Sequence, residues 1–275
     1  MQKEHIVKEG TFVPNMGIEY PEKPNQRILT PKYIKDIKVD ENYPFLMKSF
    51  KEKFFQHLIY AGIFTLVYPM QRIRYGLKIE GRKNLKDARK LLSHGALVVC
   101  NHVYRWDFLA ALQAVGHRKM WFPTFADNIN STDALLIRSA GGIPIPESGF
   151  SATKKFNEAF DTLHKKKKWI LVFPESCRWN WYQPIRPFKT GAFSLAYRYN
   201  IPVVPVVLHY REAKGLRKLL GIKHPLVTVS IGEVLMPDVA KNRKEEARAL
   251  CIKAHDSMCS MAGIIQNGWD AILEE

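Results

Sequence analysis

Cysteines and acidic residues are scarce in this sequence, and each shortage limits the class of protein to which it can belong. Four cysteines in 275 residues form no CxxC pair, which excludes a disulfide-stapled scaffold and indicates a reducing compartment. Lysine and arginine number 42 against 26 aspartates and glutamates, which gives a formal net charge of +16. An excess of this size favours an anionic partner, such as nucleic acid, a membrane surface or an acidic substrate. Charge alone does not choose among the three.

Long hydrophobic runs are also missing. Residues 58–70 carry no charge, but a helix of that length extends only ~20 Å, less than the ~30 Å hydrocarbon core of a bilayer. The first ten residues are polar and contain no apolar stretch of the kind found in a secretory signal. The sequence therefore predicts neither a membrane-spanning helix nor a secreted protein. With 46% hydrophobic and 25% charged residues, the composition is that of an ordinary globular protein.

The chain divides into three stretches. Residues 1–43 are polar and interrupted by prolines, which predicts an irregular arm. In residues 44–76 apolar side chains recur every four positions and basic residues flank them, so we expect a helical segment at the interface of an anionic membrane. The apolar positions are Leu46, Phe50, Phe54 and Leu58, and the basic ones are Lys48, Lys51, Lys53, Arg72 and Arg74. Packing of this helix on the domain core is the alternative.

Residues 77–275 alternate short apolar runs with helical patterns. The predicted strands are 96–100, 169–173, 203–208 and 227–231, and the predicted helices lie near 107–115, 153–163, 191–199 and 243–262. This alternation predicts an α/β domain whose mixed or mostly parallel sheet is covered by helices.

Residues suited to catalysis follow two of the predicted strands, where α/β sheets collect ligands. His102 and Asp107 share the turn after the first strand; an imidazole accepts a proton near neutral pH, and a carboxylate orients it. A helix cap for Asp107 and a hydrogen-bonded turn for His102 are the alternatives. After the second strand, Glu175 and Arg178 are suited to polar or anionic groups, with a surface ion pair as the alternative. Lys189 precedes a helix N-terminus, itself an anion-binding feature.

Four ordered segments resemble the glycerophospholipid acyltransferase family, which includes the 1-acylglycerol-3-phosphate acyltransferases. His102 and Asp107 match the family's HxxxxD motif. Phe-Pro-Glu-Ser-Cys-Arg at 173–178 is similar to its Phe-Pro-Glu-Gly-Thr-Arg motif, and Phe-Lys-x-Gly follows at 188–191. Gly-Gly-Ile-Pro-Ile-Pro-Glu at 141–147 and Ile-Pro-Val-Val-Pro at 201–205 resemble the second and fourth motifs. The resemblance covers roughly residues 77–232.

The resemblance implies an enzyme that moves a fatty acyl group from a thioester to the hydroxyl of a lysophospholipid such as 1-acylglycerol-3-phosphate. The donor would be acyl-CoA or acyl carrier protein, His102 the general base and Asp107 the residue that orients it; no metal or redox cofactor is implied. The residues expected to bind substrate are Gly142, Glu175, Ser176, Arg178 and Lys189. Because the substrates are lipids, we expect association with the cytoplasmic face of a membrane and no nucleic-acid partner.

Two departures from the family pattern fall in the substrate-binding motifs. Glu147 stands where the family usually has an arginine associated with the acceptor's phosphate, and Ser176 and Cys177 replace Gly-Thr. Acyl transfer is therefore better supported than the head group of the acceptor.

Two rival functions use the same residues or the same charge. A hydrolase would direct His102 and Asp107 at water, or pair His102 with Cys177 as nucleophile, although the sequence has no Gly-x-Ser-x-Gly elbow. A nucleic-acid-binding protein would use the basic charge and the aromatics near position 180, but no nucleic-acid motif accompanies them. We expect those aromatics to line an acyl or head-group pocket instead. They are Trp179, Trp181 and Tyr182.

Overall fold

A computed structural model of the chain describes residues 4–47, 49–116, 118–219 and 221–274, so Lys48 lies outside the described residues. The strands in these ranges are β1 Ile6–Val7, β2 Lys78–Glu80, β3 Leu97–Cys100, β4 Met120–Phe125, β5 Gly142–Ile145, β6 Trp169–Val172, β7 Val203–Arg211, β8 Leu226–Ile231 and β9 Ile264–Gln266. The helices are α1 Phe50–Gly62, α2 Tyr68–Arg74, α3 Arg82–Asp87, α4 Arg89–Leu92, α5 Asp107–Ala114, α6 Ala126–Ile129, α7 Ala134–Ala140, α8 Phe150–Lys165, α9 Gly191–Tyr199, α10 Leu216–Leu219 and α11 Arg243–Met261.

A seven-stranded sheet in the order β2-β8-β7-β3-β6-β4-β5 forms the centre of the fold. Its neighbours pair in parallel except β7 and β8, which are antiparallel. This confirms the predicted mixed, mostly parallel α/β sheet. Strands β3, β6, β4 and β5 run in the same direction, so the turns that follow them meet at one edge of the sheet.

Each face of the sheet is buried by its own hydrophobic cluster. On β3, Val98 and Cys100 pack into one cluster and Leu97 into the other, as the alternation of side chains along a strand requires. All four residues of β3 are buried, so the strand is central and its carboxyl end is held firmly. The turn that carries His102 begins there.

The N-terminal helical segment begins later than the sequence predicted. It starts at Phe50, because Ser49 caps the helix and exchanges hydrogen bonds with Glu52 in a capping box. Leu46, which fitted the helical spacing, lies before the cap and packs against a hydrophobic cluster of the domain. A π-helical stretch, Ile63–Val67, joins α1 to α2, so helical structure runs through to Arg74.

One face of this helical segment packs on the domain. Tyr60 is buried and its hydroxyl donates to the Ala140 carbonyl at 2.8 Å, and Gln71 is buried beside Gln113. The opposite face is apolar and exposed, with Phe50 and Leu66 at 83% and 72% of their full exposure. In the described part of the chain, no helix combines the length and the apolar content that a membrane crossing needs.

Residues 4–43 form an extended arm that lies along the domain. Val7 of β1 pairs with Ile264 of β9, and Tyr20 donates to the Asn180 carbonyl at 2.7 Å. Further along, the Ile34 amide donates to the Asn130 carbonyl at 2.9 Å. The arm therefore has an irregular course, and residues of three different parts of the domain fix it.

Candidate active site

The residues after β3 form a turn, 101–104, which we call the histidine turn. Asn101 is buried, and its side chain bonds both backbone groups of Leu208 on β7, at 2.9 and 2.8 Å. The Val103 carbonyl accepts from the Trp181 amide at 2.8 Å. Hydrogen bonds from a neighbouring strand and from the loop after β6 thus hold the turn on both sides of His102.

His102 and Asp107 meet in the structure as the sequence predicted. Nδ1 of His102 lies 2.5 Å from Oδ2 of Asp107, which is the first residue of α5 and is 2% exposed. A carboxylate at a helix N-terminus is stabilised by the helix dipole. Because this carboxylate makes Nδ1 the donor, the Nε2 lone pair is left to accept a proton. Nε2 has no hydrogen-bond partner among the described residues, and 21% of the side chain is exposed.

Glu175 was expected to bind substrate, but protein donors occupy its carboxylate. One oxygen accepts from the His102 amide at 2.8 Å and from Nη2 of Arg186 at 2.7 Å. The other accepts from the Arg186 amide at 2.9 Å. The side chains of Glu175 and Arg186 are both fully buried. This buried ion pair therefore supports the histidine turn from within the protein.

Arg186 is a site component that the sequence argument missed. In the sequence it is one of the cations ahead of the N-terminus of α9, and in the structure its guanidinium is buried, 4.4 Å from the centroid of the Trp179 ring. No spacing rule distinguishes a buried arginine from an exposed one. One sequence feature could have indicated the ion pair: Glu175, the acidic partner of Arg186, lies in the loop that follows a predicted strand, and Arg186 comes only eleven residues later.

Gly142 was also expected to bind substrate, and the structure gives it a packing role. A Cβ at this position would lie 2.7 Å from Cγ2 and 2.9 Å from the carbonyl oxygen of Ile137. Its neighbour Gly141 has φ of 110° and passes close to the Met120 carbonyl. The pair of glycines therefore allows α7 to end against β4 and β5.

Three other predicted substrate ligands lie on the loops at this edge of the sheet. Ser176 is half-buried with a left-handed φ of 69°. Lys189 is exposed, and its amide donates to the Pro174 carbonyl at 3.0 Å, which places it beside the Phe-Pro-Glu-Ser-Cys-Arg segment. Arg178 is half-buried, and its Nε is buried with no hydrogen-bond partner among the described residues. Glu147 is exposed in the loop between β5 and α8.

Two of the three aromatics expected to line a pocket pack under the arm instead. Trp179 is fully buried and its Nε1 donates to the Gln26 carbonyl at 2.9 Å. Tyr20 of the arm stacks on Trp179 and contacts Tyr182, with ring centroids 5.7 and 4.6 Å apart. Trp181 is half-buried and packs against Tyr210. Trp179 and Tyr182 thus bind the arm to the loop after β6.

Cys177 is unsuited to the nucleophilic role considered for it. Its thiol is buried and donates to the Asn25 carbonyl at 3.1 Å. Burial raises the pKa of the thiol, an effect that the nearby arginines only partly offset. Since the thiolate is the nucleophilic form, this environment disfavours a Cys177–His102 dyad.

Comparison with known proteins supports the family resemblance. Residues 76–209 match the family model named Acyltransferase, a range that contains the histidine turn and every predicted substrate ligand. Over this range the chain is similar to the acyltransferase family. The resemblance carried by the HxxxxD and Phe-Pro-Glu motifs is therefore confirmed, and the protein is an O-acyltransferase of the 1-acylglycerol-3-phosphate type.

Similar curated acyltransferases come from bacteria. The 1-acyl-sn-glycerol-3-phosphate acyltransferase of Escherichia coli (strain K12) is 29% identical over 194 residues, 67% of this chain and 72% of the relative. That of Haemophilus influenzae is 28% identical over 211 residues, 73% of this chain and 79% of the relative. A crystal structure of the 1-acyl-sn-glycerophosphate acyltransferase PlsC from Thermotoga maritima covers 75% of this chain and 78% of its own, with 19% identity and a TM-score of 0.42.

Proposed function

We propose that this acyltransferase transfers a fatty acyl group from a thioester, acyl-CoA or acyl-acyl carrier protein, to the free hydroxyl of a lysophospholipid such as 1-acylglycerol-3-phosphate. His102 removes the proton from the acceptor hydroxyl as its oxygen attacks the thioester carbonyl carbon. The carbon–sulfur bond then breaks, and the proton passes to the departing thiolate. The products are a diacyl lipid and a free thiol, and no metal or redox cofactor takes part.

The observation that carries this proposal is the geometry of His102. Asp107 holds Nδ1 at 2.5 Å, while Nε2 has no partner in the described residues and the ring is partly exposed. An imidazole fixed at one nitrogen and available at the other suits a general base. A carboxylate beside it also stabilises the imidazolium that forms during the reaction.

The anionic head group of the acceptor is assigned to Arg178 and Lys189. Trp179, the neighbour of Arg178 in sequence, donates its amide to the His102 carbonyl at 2.9 Å, so Arg178 borders the histidine turn. Its Nε has no hydrogen-bond partner among the described residues, and a guanidinium can hold a phosphate in two-point contact. Glu147 places an exposed carboxylate at the second motif, where the family usually has an arginine. Acceptors with phosphodiester head groups therefore need to be tested beside 1-acylglycerol-3-phosphate.

The exposed apolar face of the helical segment from Phe50 to Arg74 supports a membrane-associated site. Its largest exposed side chains are Phe50, Phe54, Phe55, Leu58, Leu66 and Ile73. The exposed bases Lys51, Lys53, Arg72 and Arg74 flank them. An apolar face bordered by cations is suited to the boundary between acyl chains and anionic headgroups. We propose that this surface holds the enzyme at the cytoplasmic face of a membrane, where the lysophospholipid acceptor and the diacyl product are found.

The decisive experiment incubates the purified protein with acyl thioesters and a panel of lysolipids and follows the acylated lipid by mass. The panel contains 1-acylglycerol-3-phosphate, lysophosphatidylglycerol, lysophosphatidylethanolamine and monoacylglycerol. Acylated lipid that falls about 10²- to 10⁴-fold in His102→Ala, a range usual for loss of a general base, supports the proposal. A matched control, His94→Ala, removes an exposed imidazole outside the site and is expected to keep full activity.

The same assay separates transfer from hydrolysis. Thiol release is measured with and without the lysolipid. A transferase releases thiol in proportion to acylated lipid, whereas full-rate release without any acceptor would identify a hydrolase and overturn the proposal.

A further inference from the structure

We propose that Arg186 is a positioning residue for the base: together with Glu175 it fixes the backbone of His102 and thereby the place of the imidazole. The inference rests on the proposed role of His102. The carboxylate of Glu175 accepts from the His102 amide at 2.8 Å. Nη2 of Arg186 lies 3.3 Å from the His102 carbonyl oxygen. The ion pair thus holds both backbone polar groups of one residue.

Arg186 has contacts that a merely buried cation does not need. Its Nη2 lies within hydrogen-bond distance of Glu175 and of the carbonyls of His102 and Cys177. Two N–H groups serve these three acceptors, so one of them is shared. Nη1 donates to the Pro24 carbonyl at 3.0 Å. Hydrogen bonds to acceptors in these different directions require the planar, forked guanidinium of arginine, which lysine lacks.

The arm closes this arrangement from outside. Pro24 accepts from Arg186, and Gln26 accepts from the indole of Trp179, the ring that lies against the guanidinium. Residues 24–26 therefore shield the ion pair from water. A shielded pair holds its geometry more strictly than an exposed one, because charge–charge interactions are stronger at low dielectric.

The test is the conservative variant Arg186→Lys, which keeps the buried positive charge and loses the fork. Misplacement of a reacting group by about 1 Å costs on the order of 10²-fold in rate, so kcat is expected to fall by about 10- to 100-fold. KM for both substrates should stay within about twofold, because the substrate ligands are untouched. A KM effect with unchanged kcat would overturn the proposal.

The matched control is Arg211→Lys. Arg211 is a half-buried arginine that bonds the Thr228 hydroxyl and the carbonyls of Gly76 and Val227, so it also fixes backbone. Its loss should lower the melting temperature and leave kcat within about twofold. An equal fall of kcat in both variants would mean that general loosening, and not the position of His102, lowers the rate.

Two further measurements keep the proposal testable. In a His102→Ala background, Arg186→Lys is expected to change the residual rate by less than about twofold, since residues that act through one group are not additive. Hydrogen exchange of the peptide that contains the histidine turn should accelerate at least about tenfold in Arg186→Lys. Unchanged exchange would refute the positioning role even if the protein proved to have a different activity.

If Arg186→Lys does not fold, the double variant Glu175→Gln/Arg186→Met replaces it, because it leaves no single charge buried alone. A folded double variant with wild-type kcat would overturn the proposal. A folded double variant with the same fall in kcat would support it.

Discussion

Phe173 stacks on the imidazole of His102, with ring centroids 4.3 Å apart and planes inclined by 21°. Phe173 immediately follows β6, and β6 pairs with β3, the strand that precedes His102. The ring therefore limits rotation of the imidazole from one side while Asp107 fixes Nδ1. Two neighbouring strands thus supply the restraints on one side chain.

Replacing Phe173 by leucine removes this flat surface while keeping most of the apolar volume. We expect kcat to fall by about 3- to 10-fold, in line with the ~0.5–1.5 kcal/mol of an aromatic contact, with little change in KM. Steady-state kinetics on the preferred lysolipid measure this. Phe173→Tyr retains the ring and should stay close to wild type; a loss as large as that of leucine would argue against stacking as the cause.

Asp107→Asn tests the orientation of the base. The amide is close in size to the carboxylate but provides no negative charge for the imidazolium and permits the wrong tautomer. We expect kcat to fall on the order of 10³-fold, measured by acylated lipid in a folded variant. Activity within about tenfold of wild type would contradict the orienting role and would mean that Asp107 serves only to stabilise the N-terminus of α5.

Gly141→Ala is expected to destabilise the fold by about 2–4 kcal/mol, because the residue has φ of 110° and a Cβ would overlap the Met120 carbonyl. Urea unfolding measures the change. The control Gly62→Ala lies at the end of α1 with open space around it and should stabilise the protein by up to about 1 kcal/mol. Equal effects of the two variants would contradict the packing role of Gly141.

Acidification should weaken the fold through buried histidines. Burial lowers the pKa of His255, which is 2% exposed, so the unfolded chain binds a proton more readily than the folded one. Stability from this residue is complete above the unfolded pKa of about 6.5 and is lost as the pH falls toward the lower folded value. The slope for one group is at most about 1.4 kcal/mol per pH unit.

The measurement compares unfolding free energies of wild type and His255→Gln at about pH 7.5 and about pH 5.5. The variant should lose less stability on acidification than wild type. A residual dependence is expected, because burial also lowers the pKa of His209. An unchanged pH dependence in the variant would exclude His255 as a source.

Membrane binding is best tested by point substitution. Deletion of residues 1–70 would also remove the arm contacts to Trp179 and Arg186, and so would confuse binding with folding. Phe50→Ser/Leu66→Ser changes two strongly exposed side chains and should weaken sedimentation with anionic vesicles by about tenfold or more. Leu219→Ser, an exposed leucine on α10, is the control. Equal sedimentation of all three proteins would refute this surface.

The sequence predicted the central strands and the larger helices because their patterns are local. The run at 96–100 is apolar throughout, and β3 occupies 97–100; α9 and the predicted helix 191–199 coincide. Strand β4 was not predicted, because Pro123 interrupts it and proline argues against a strand. Short elements such as β2 and α6 carry too few residues for any period to be recognised.

The candidate site was predictable only where chemistry and spacing coincide. His102 follows the end of β3 and Asp107 begins α5, five residues later, so their meeting follows from the strand and helix around them. The pairing of Glu175 with Arg186 and its contact with His102 depend on how three loops pack, and no local pattern contains that information. Burial of the remaining side chains was not predictable from sequence. The aromatics near position 180 were predicted to line a pocket, and only the course of the arm shows that Trp179 is covered.

The pairing of β1 with β9 has a consequence for biosynthesis. Val7 meets Ile264, a partner that leaves the ribosome more than 250 residues later. The strands of the central sheet, β2 to β8, all precede β9 in the chain, whereas the arm cannot finish docking until translation has passed β9. The N-terminal end of the arm is therefore anchored last, after every residue of the candidate site has been synthesised.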